Sequence, residues 1–183
     1  MANVKPYAQW VLKWEGGYVN DPKDAGGETN KGITLATWKS CGHDISEKLK
    51  NVVYKGKCYN LVTKSLYEMT EEQFEKILKE KYWDRWQADE IKSQSVAEML
   101  VQWTWGSGSV GIKRPQRMLE LKDDGIVGNI TLNAVNAQNP REFWERLKEA
   151  RKDYFNEIVA NRPSNQKFLQ GWLNRLNSMQ FTT

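Results

Sequence analysis

The 183-residue chain holds a single histidine and two cysteines, and that scarcity removes several chemistries at once. A structural zinc site needs four ligands, mostly Cys and His, and they are not in evidence. A Ser/His/Asp or Cys/His device would have to use His43 as its base. His43 lies in the polar stretch SCGHDIS with no nucleophile motif beside it, so it reads as a surface or capping residue. Cys41 and Cys58 could pair only with each other, which makes no disulfide framework, and they read as two free thiols. No segment approaches 18 apolar residues, so none is expected to span a membrane. The opening stretch MANVKPYAQWVLKWEGG lacks the apolar core and small-residue end of a signal peptide. There is no long Lys/Arg block and no nucleic-acid motif, so nucleic acid is set aside as a partner. The net charge of +4, from 27 basic and 23 acidic residues, is mild and would favour approach to an anionic polymer through on-rate. Repeats, low-complexity tracts and true linkers are missing as well.

Tryptophan, by contrast, is abundant: nine residues in a chain of this length. Most are expected in the core, and exposed ones could stack on sugar rings. Tyr7, Trp10, Val11 and Trp14 recur at helical spacing and predict a first amphipathic helix, ended by Gly16 and Gly17. Residues 20–32, dense in Gly, Asp, Asn and Pro, predict a loop with tight turns and a short hairpin. A short helix is expected from a capping Thr34 to Ser40, and a hairpin over NVVYKGKCYNLV turning at Lys55-Gly56-Lys57. Thr70 followed by Gln73 is a capping box that opens a helix running from Glu71 to about Arg85, with Phe74, Ile77, Leu78, Tyr82 and Trp86 on its apolar face. The nearly unbroken apolar centre VAEMLVQWTW predicts a buried helix from Ser93 to Trp105. Further helices are expected over 111–121, near 129–131 after a glycine-bearing turn, from Arg141 to Asn161 behind Pro140, and over 165–179.

The chemistry concentrates in EGGYVNDPKDAGGETNKGIT, Glu15 to Thr34. One glutamate closes an aromatic helix and a polar loop follows at once. Glycoside hydrolysis needs a protonated carboxyl near apolar neighbours and, in most cases, a second carboxylate. Glu15 after Trp14 suits the first role. Asp21 and Asp24, six and nine residues on, suit the second, and Thr29 and Asn30 could position a water. Ordinary helix-end and turn chemistry would also explain these residues.

The same stretch resembles the signature of glycoside hydrolase family 108, the cell-wall muramidases. Glu15-Gly16-Gly17-Tyr18, Asp21-Pro22, Asp24, Gly26-Gly27, Thr29 and Gly32-Ile33-Thr34 stand in the expected order. The resemblance implies Glu15 as proton donor. By analogy with phage-type lysozymes it implies Asp24 as second carboxylate and Thr29 as the water-positioning hydroxyl. Tyr18, Asp21, Asn30, Thr34 and Gln102 are the expected substrate-binding residues. Tyr82-Trp83 is similar to the aromatic pair that closes the family's catalytic segment, and reads as a core anchor. Gln116, Leu119, Asp124-Gly125, Gly128 and Thr131-Leu132 resemble a peptidoglycan-binding segment, for which a purely structural turn is an equal reading. Phe168, Gly171-Trp172 and Arg175 match the family's closing helix. One departure stands out: Gln102 occupies a place where many relatives carry an Asp, and Gly106 one where they carry Asn.

The resemblance implies a mainly α, lysozyme-like fold of two closely packed helical lobes with a small β-hairpin or polar loop after the first helix. The expected division is a catalytic lobe over 1–91 and a helical lobe over 92–183, with a substrate cleft between them. The implied activity is cleavage of the β-1,4 bond between N-acetylmuramic acid and N-acetylglucosamine in peptidoglycan glycan strands. A lytic transglycosylase, or a non-catalytic wall-binding or secretion-helper protein, are the alternatives. No metal or organic cofactor is expected, and a monomer is favoured. The protein is expected to be made in the cytoplasm and to reach the wall through a holin-like lesion or a dedicated release route.

Overall fold

A computed structural model describes residues 1–20 and 27–182. The chain divides into two compact units, one of residues 5–78 and one of residues 1–4 and 79–183, with the chain passing from the first to the second at Leu78–Lys79. The architecture is mainly helical with small antiparallel sheets, the lysozyme-like class that the family resemblance implies.

In the unit of residues 5–78, helix α1 spans Val4–Trp14, with Tyr7 and Val11 fully buried. It is followed by three very short strands, β1 Val19–Asn20, β2 Glu28–Asn30 and β3 Ile33–Thr34, which form one antiparallel sheet in that order. Thr29 lies opposite Val19 on one side and Thr34 on the other. Helix α2, Leu35–Ser40, starts as expected from Thr34, whose hydroxyl accepts from the Thr37 N–H; such a cap is worth about 1 kcal/mol. His43, read as a surface or capping residue, is half-buried. Its ring lies flat on buried Trp38, 3.6 Å between centroids, and the Trp38 indole donates to Ser65.

The second sheet is the hairpin β4 Lys48–Tyr54 and β5 Lys57–Thr63, closed by the two-residue turn Lys55-Gly56. Both turn residues have positive φ, 47° and 77°, the mirror-image turn that matches strand twist. The inward residues are three apart in each strand, Leu49 and Val52 on one, Tyr59 and Val62 on the other. The change of face falls at Asn51, whose φ is +53°. Tyr18, Tyr59 and Val62 form the core here, with Leu49, Val52, Tyr54 and Tyr67 packed on it. Tyr18 meets Tyr54, Tyr59 and Tyr67 edge-on at 5.1–6.5 Å, a geometry that adds roughly 0.5–1.5 kcal/mol per pair beyond area burial. Helices α3, Lys64–Tyr67, and α4, Glu71–Leu78, complete the unit. The capping box that opens α4 is reciprocal: Thr70 accepts from the Gln73 N–H, and the Gln73 amide oxygen accepts from the Thr70 N–H.

The expected single helix to Arg85 is instead α4, a widened π turn over Lys79–Trp83, and a 3-10 turn over Asp84–Trp86. The altered winding puts Trp83 and Trp86 both fully inside, while Tyr82 rests on Trp105 at 4.6 Å. The Trp83 indole donates to Asp89, which with Asp84 also holds the Lys79 ammonium. Trp83 is thus the aromatic anchor that the sequence predicts.

The other unit is built on α5 Gln94–Ser107, α6 Val110–Met118, α7 Asn129–Asn136, α8 Pro140–Asn161 and α9 Gln166–Asn177. Residues 95–97 and 99–104 of α5 are buried. Helix α6 lies against it through Gly111, where a Cβ would come within 2.4 Å of the Trp103 and Thr104 backbone. The turn between α6 and α7 is organised by Gln116. Its amide nitrogen donates to the Ile126 carbonyl, Asp124 and Thr131, and its oxygen accepts from the Gly125 N–H. Asp124 also accepts from the Ile126 N–H, which together with Gln116 holds its carboxyl below the usual range. Cys41 and Cys58 are free thiols. No helix among the described residues is long and apolar enough to cross a membrane.

Candidate active site

Glu15 is the first residue past α1, and its N–H still donates to the Val11 carbonyl at 3.0 Å. It is half-buried, beside Trp14, whose ring packs against Trp10 at 6.3 Å. Glu15 therefore sits at a helix end whose inner face is fixed.

The turn that follows Glu15 is held from outside. The Lys55 ammonium, at the tip of the β4–β5 hairpin, donates to the Gly16 carbonyl at 3.0 Å. The Lys31 N–H, in the β2–β3 turn, donates to the Gly17 carbonyl at 3.3 Å. Gly17 has φ +84°, and a Cβ there would lie 2.0 Å from the Tyr54 hydroxyl. Only glycine fits both the backbone angle and the ring beside it. Two residues from the hairpin tip and one from a sheet turn thus fix the conformation of the two residues after Glu15.

Below this turn lies a buried carboxylate that sequence reasoning did not single out. Glu28 accepts from the Tyr18 hydroxyl at 2.8 Å, from the Thr63 hydroxyl at 2.6 Å and from the Thr63 N–H. The Thr63 hydroxyl in turn accepts from the Lys48 ammonium at 2.5 Å. A cation one hydroxyl away and three direct donors satisfy a group that would otherwise be costly to bury. Burial, reinforced by the neighbouring Glu28, pushes the Tyr18 hydroxyl far above its usual range and keeps it a donor. In β2 Glu28 shares its buried face with Asn30, but a three-residue strand gives too short an alternation to mark it in the sequence.

The sequence-derived site residues divide accordingly. Thr29 is half-buried on the opposite face of β2 from Glu28 and Asn30, directly across from Thr34; its hydroxyl makes a long contact, 3.5 Å, with the Gly27 carbonyl. Thr34 is the cap of α2, with its hydroxyl 3.0 Å from that of Thr37. Tyr18 is only 2% exposed and its hydroxyl is engaged by Glu28, so it is a core residue offering no surface to a sugar. Asn30, 4% exposed, donates to the Leu66 and Tyr67 carbonyls at the end of α3. Gln102 lies in α5 in the other unit and is 2% exposed, with an amide oxygen that has no partner among the described residues. Burial thus gives Tyr18, Asn30 and Gln102 positions inside the fold. Asp21 and Asp24 lie outside the described residues. The chain from Glu15 to Val19 can span no more than about 14 Å, and Val19 pairs with Thr29. That length bounds how far Glu15 can lie from the strand beside Thr29.

A glutamate at the end of the first helix, followed by a small three-stranded sheet in a mainly helical chain, is an arrangement of the lysozyme-like fold class. The chain belongs to the glycosyl hydrolase 108 family, whose model matches residues 8–108, and a predicted peptidoglycan domain matches residues 110–177. It is accordingly a glycoside hydrolase acting on peptidoglycan. The fold is similar to the solved structure of SagA from Brucella abortus, with a TM-score of 0.72 and 26% identity, over 96% of this chain and 90% of that one. No curated protein sequence matches the chain significantly.

Proposed function

We propose that the protein is an N-acetylmuramidase that hydrolyses the β-1,4 bond between N-acetylmuramic acid and N-acetylglucosamine, with Glu15 as general acid. The observation that carries this reading is the way the Glu15 turn is held. Glu15 is half-buried at the end of an aromatic helix, and the two following carbonyls are fixed by Lys55 and Lys31. Glu15 gives its proton to the glycosidic oxygen as the bond to the anomeric carbon breaks. Positive charge develops at that carbon. A water held between the Asp24 carboxylate and the Thr29 hydroxyl adds to it, and Asp24 takes the released proton. The new sugar end is a reducing one.

The test is product analysis on purified peptidoglycan. Wild type should release reducing muramic ends, and Asp24→Asn should lower kcat by about 10²–10⁴-fold, the range of positioned acid–base groups. Thr29→Val should cost less, about tenfold, because it removes one contact to water. Anhydro-muramic ends formed by an active Asp24→Asn protein would instead assign a transglycosylase, in which the substrate's own hydroxyl attacks.

A further inference from the structure

Residues 48–63, the β4–β5 hairpin, contain Lys48, Lys50, Lys55 and Lys57 and no Asp or Glu. Removing these four from the 27 basic residues leaves 23, equal to the 23 acidic residues of the chain. The hairpin therefore carries the protein's whole formal net charge. Among the described residues none of the four is in an ion pair, whereas Lys64, just beyond the hairpin, is paired with Glu47 at 2.8 Å. Two have internal duties: Lys48 holds Thr63 and Lys55 holds Gly16. Lys50 and Lys57 are exposed, and Lys57 lies 5.1 Å over the Tyr59 ring. On the same ribbon Val53 and Leu61 are 68% and 50% exposed, Leu61 directly across from Lys50.

This basic, partly apolar ribbon starts at the Glu15 turn, because its tip is tied to the residue after Glu15. A wall glycan carries short peptides on its muramic residues, and those peptides hold carboxylates and methyl groups. Isolated lysines among exposed aliphatic side chains suit that chemistry. A close-set phosphate polymer would favour planar arginine forks, and the hairpin has no arginine. We propose that the hairpin binds the acidic peptide stems of the strand being cut, Lys50 and Lys57 meeting stem carboxylates while Val53 and Leu61 meet their aliphatic parts. The proposal rests on the reading of Glu15 as the acid, since that reading puts the glycan beside the hairpin tip.

The experiment compares Lys50→Gln/Lys57→Gln with Lys92→Gln/Lys167→Gln, which removes equal charge from exposed sites elsewhere in the chain. On intact peptidoglycan at low salt the hairpin variant should raise KM about fivefold with kcat unchanged, the size two exposed charge contacts give. The gap should close as salt shortens the screening length, and it should vanish when the stem carboxylates are amidated or the peptides are stripped from the strands. A gap that persists on stripped strands overturns the proposal. So does an equal effect of the two double variants, or a loss that follows anionic lipid vesicles or phosphate-bearing polymers in place of stem carboxylates. Sacculus binding by Glu15→Gln protein, with and without the hairpin changes, reads the hairpin separately. A fully active Glu15→Gln enzyme whose sacculus binding still depends on Lys50 and Lys57 would sink the acid assignment and leave the hairpin standing.

Discussion

Two glycine-bearing turns in this molecule are built in opposite ways. The turn over residues 124–131 closes on itself: Gln116 reaches into it, and the Asp124, Gly125, Ile126 and Thr131 polar groups are bonded to Gln116 or to one another. The turn over residues 15–18 is clamped from outside, through its backbone carbonyls, by Lys55 from a hairpin 39 residues on and by Lys31. The first arrangement uses its side chains to hold a shape. The second fixes the backbone that follows Glu15, a half-buried residue. The contrast teaches that two glycine-bearing motifs of similar composition are fixed by different means, one by a side chain reaching into the turn and the other through its backbone carbonyls.

The comparison can be tested from its most costly element downward. Glu28→Ala should be the most destabilising change, because it leaves the Tyr18 hydroxyl and the Thr63 N–H buried without an acceptor. The expected cost is about 3–5 kcal/mol, a fall in Tm of roughly 6–20 °C by calorimetry. An unchanged Tm would mean that this clasp does not support the sheet. Gly17→Ala should cost about 2–3 kcal/mol, from the positive φ and the overlap with Tyr54. It should lower kcat on peptidoglycan further than it lowers stability. Adding Tyr54→Phe should recover part of both losses, and no recovery would show that the ring is not what excludes a Cβ. Gln116→Ala is the smallest of the three, about 1–2 kcal/mol in denaturant unfolding, with kcat unchanged. A kcat loss comparable to that of Gly17→Ala would erase the distinction between the two turns.

Much of the fold was legible because its signals are local. Thr34 and Thr70 announce helix starts by side-chain chemistry, and Lys55-Gly56 announces a hairpin by backbone demand. The strands β1 to β3, two or three residues each, are too short to carry a readable alternation, so the sheet beside the site was expected only as turns with a short hairpin. The π turn over Lys79–Trp83 arises from burying Trp83 and Trp86 together, a tertiary demand that a helical repeat does not encode. At the site, residue type identified polar groups but not their direction. Tyr18 and Asn30 look available in the sequence, yet they point into the core, and Glu28 between them was passed over for the same reason. Lys31, Tyr54 and Lys55 come from separate turns, and only the folded chain brings them to Gly16 and Gly17.

The central claim is that Glu15 supplies the proton that breaks the glycan. Its most direct test is the rate at which Glu15→Gln releases reducing ends from purified peptidoglycan, with Tm monitored in parallel. The account predicts a loss of about 10³-fold or more at unchanged Tm; an amide variant that is folded and cleaves at the wild-type rate would contradict it.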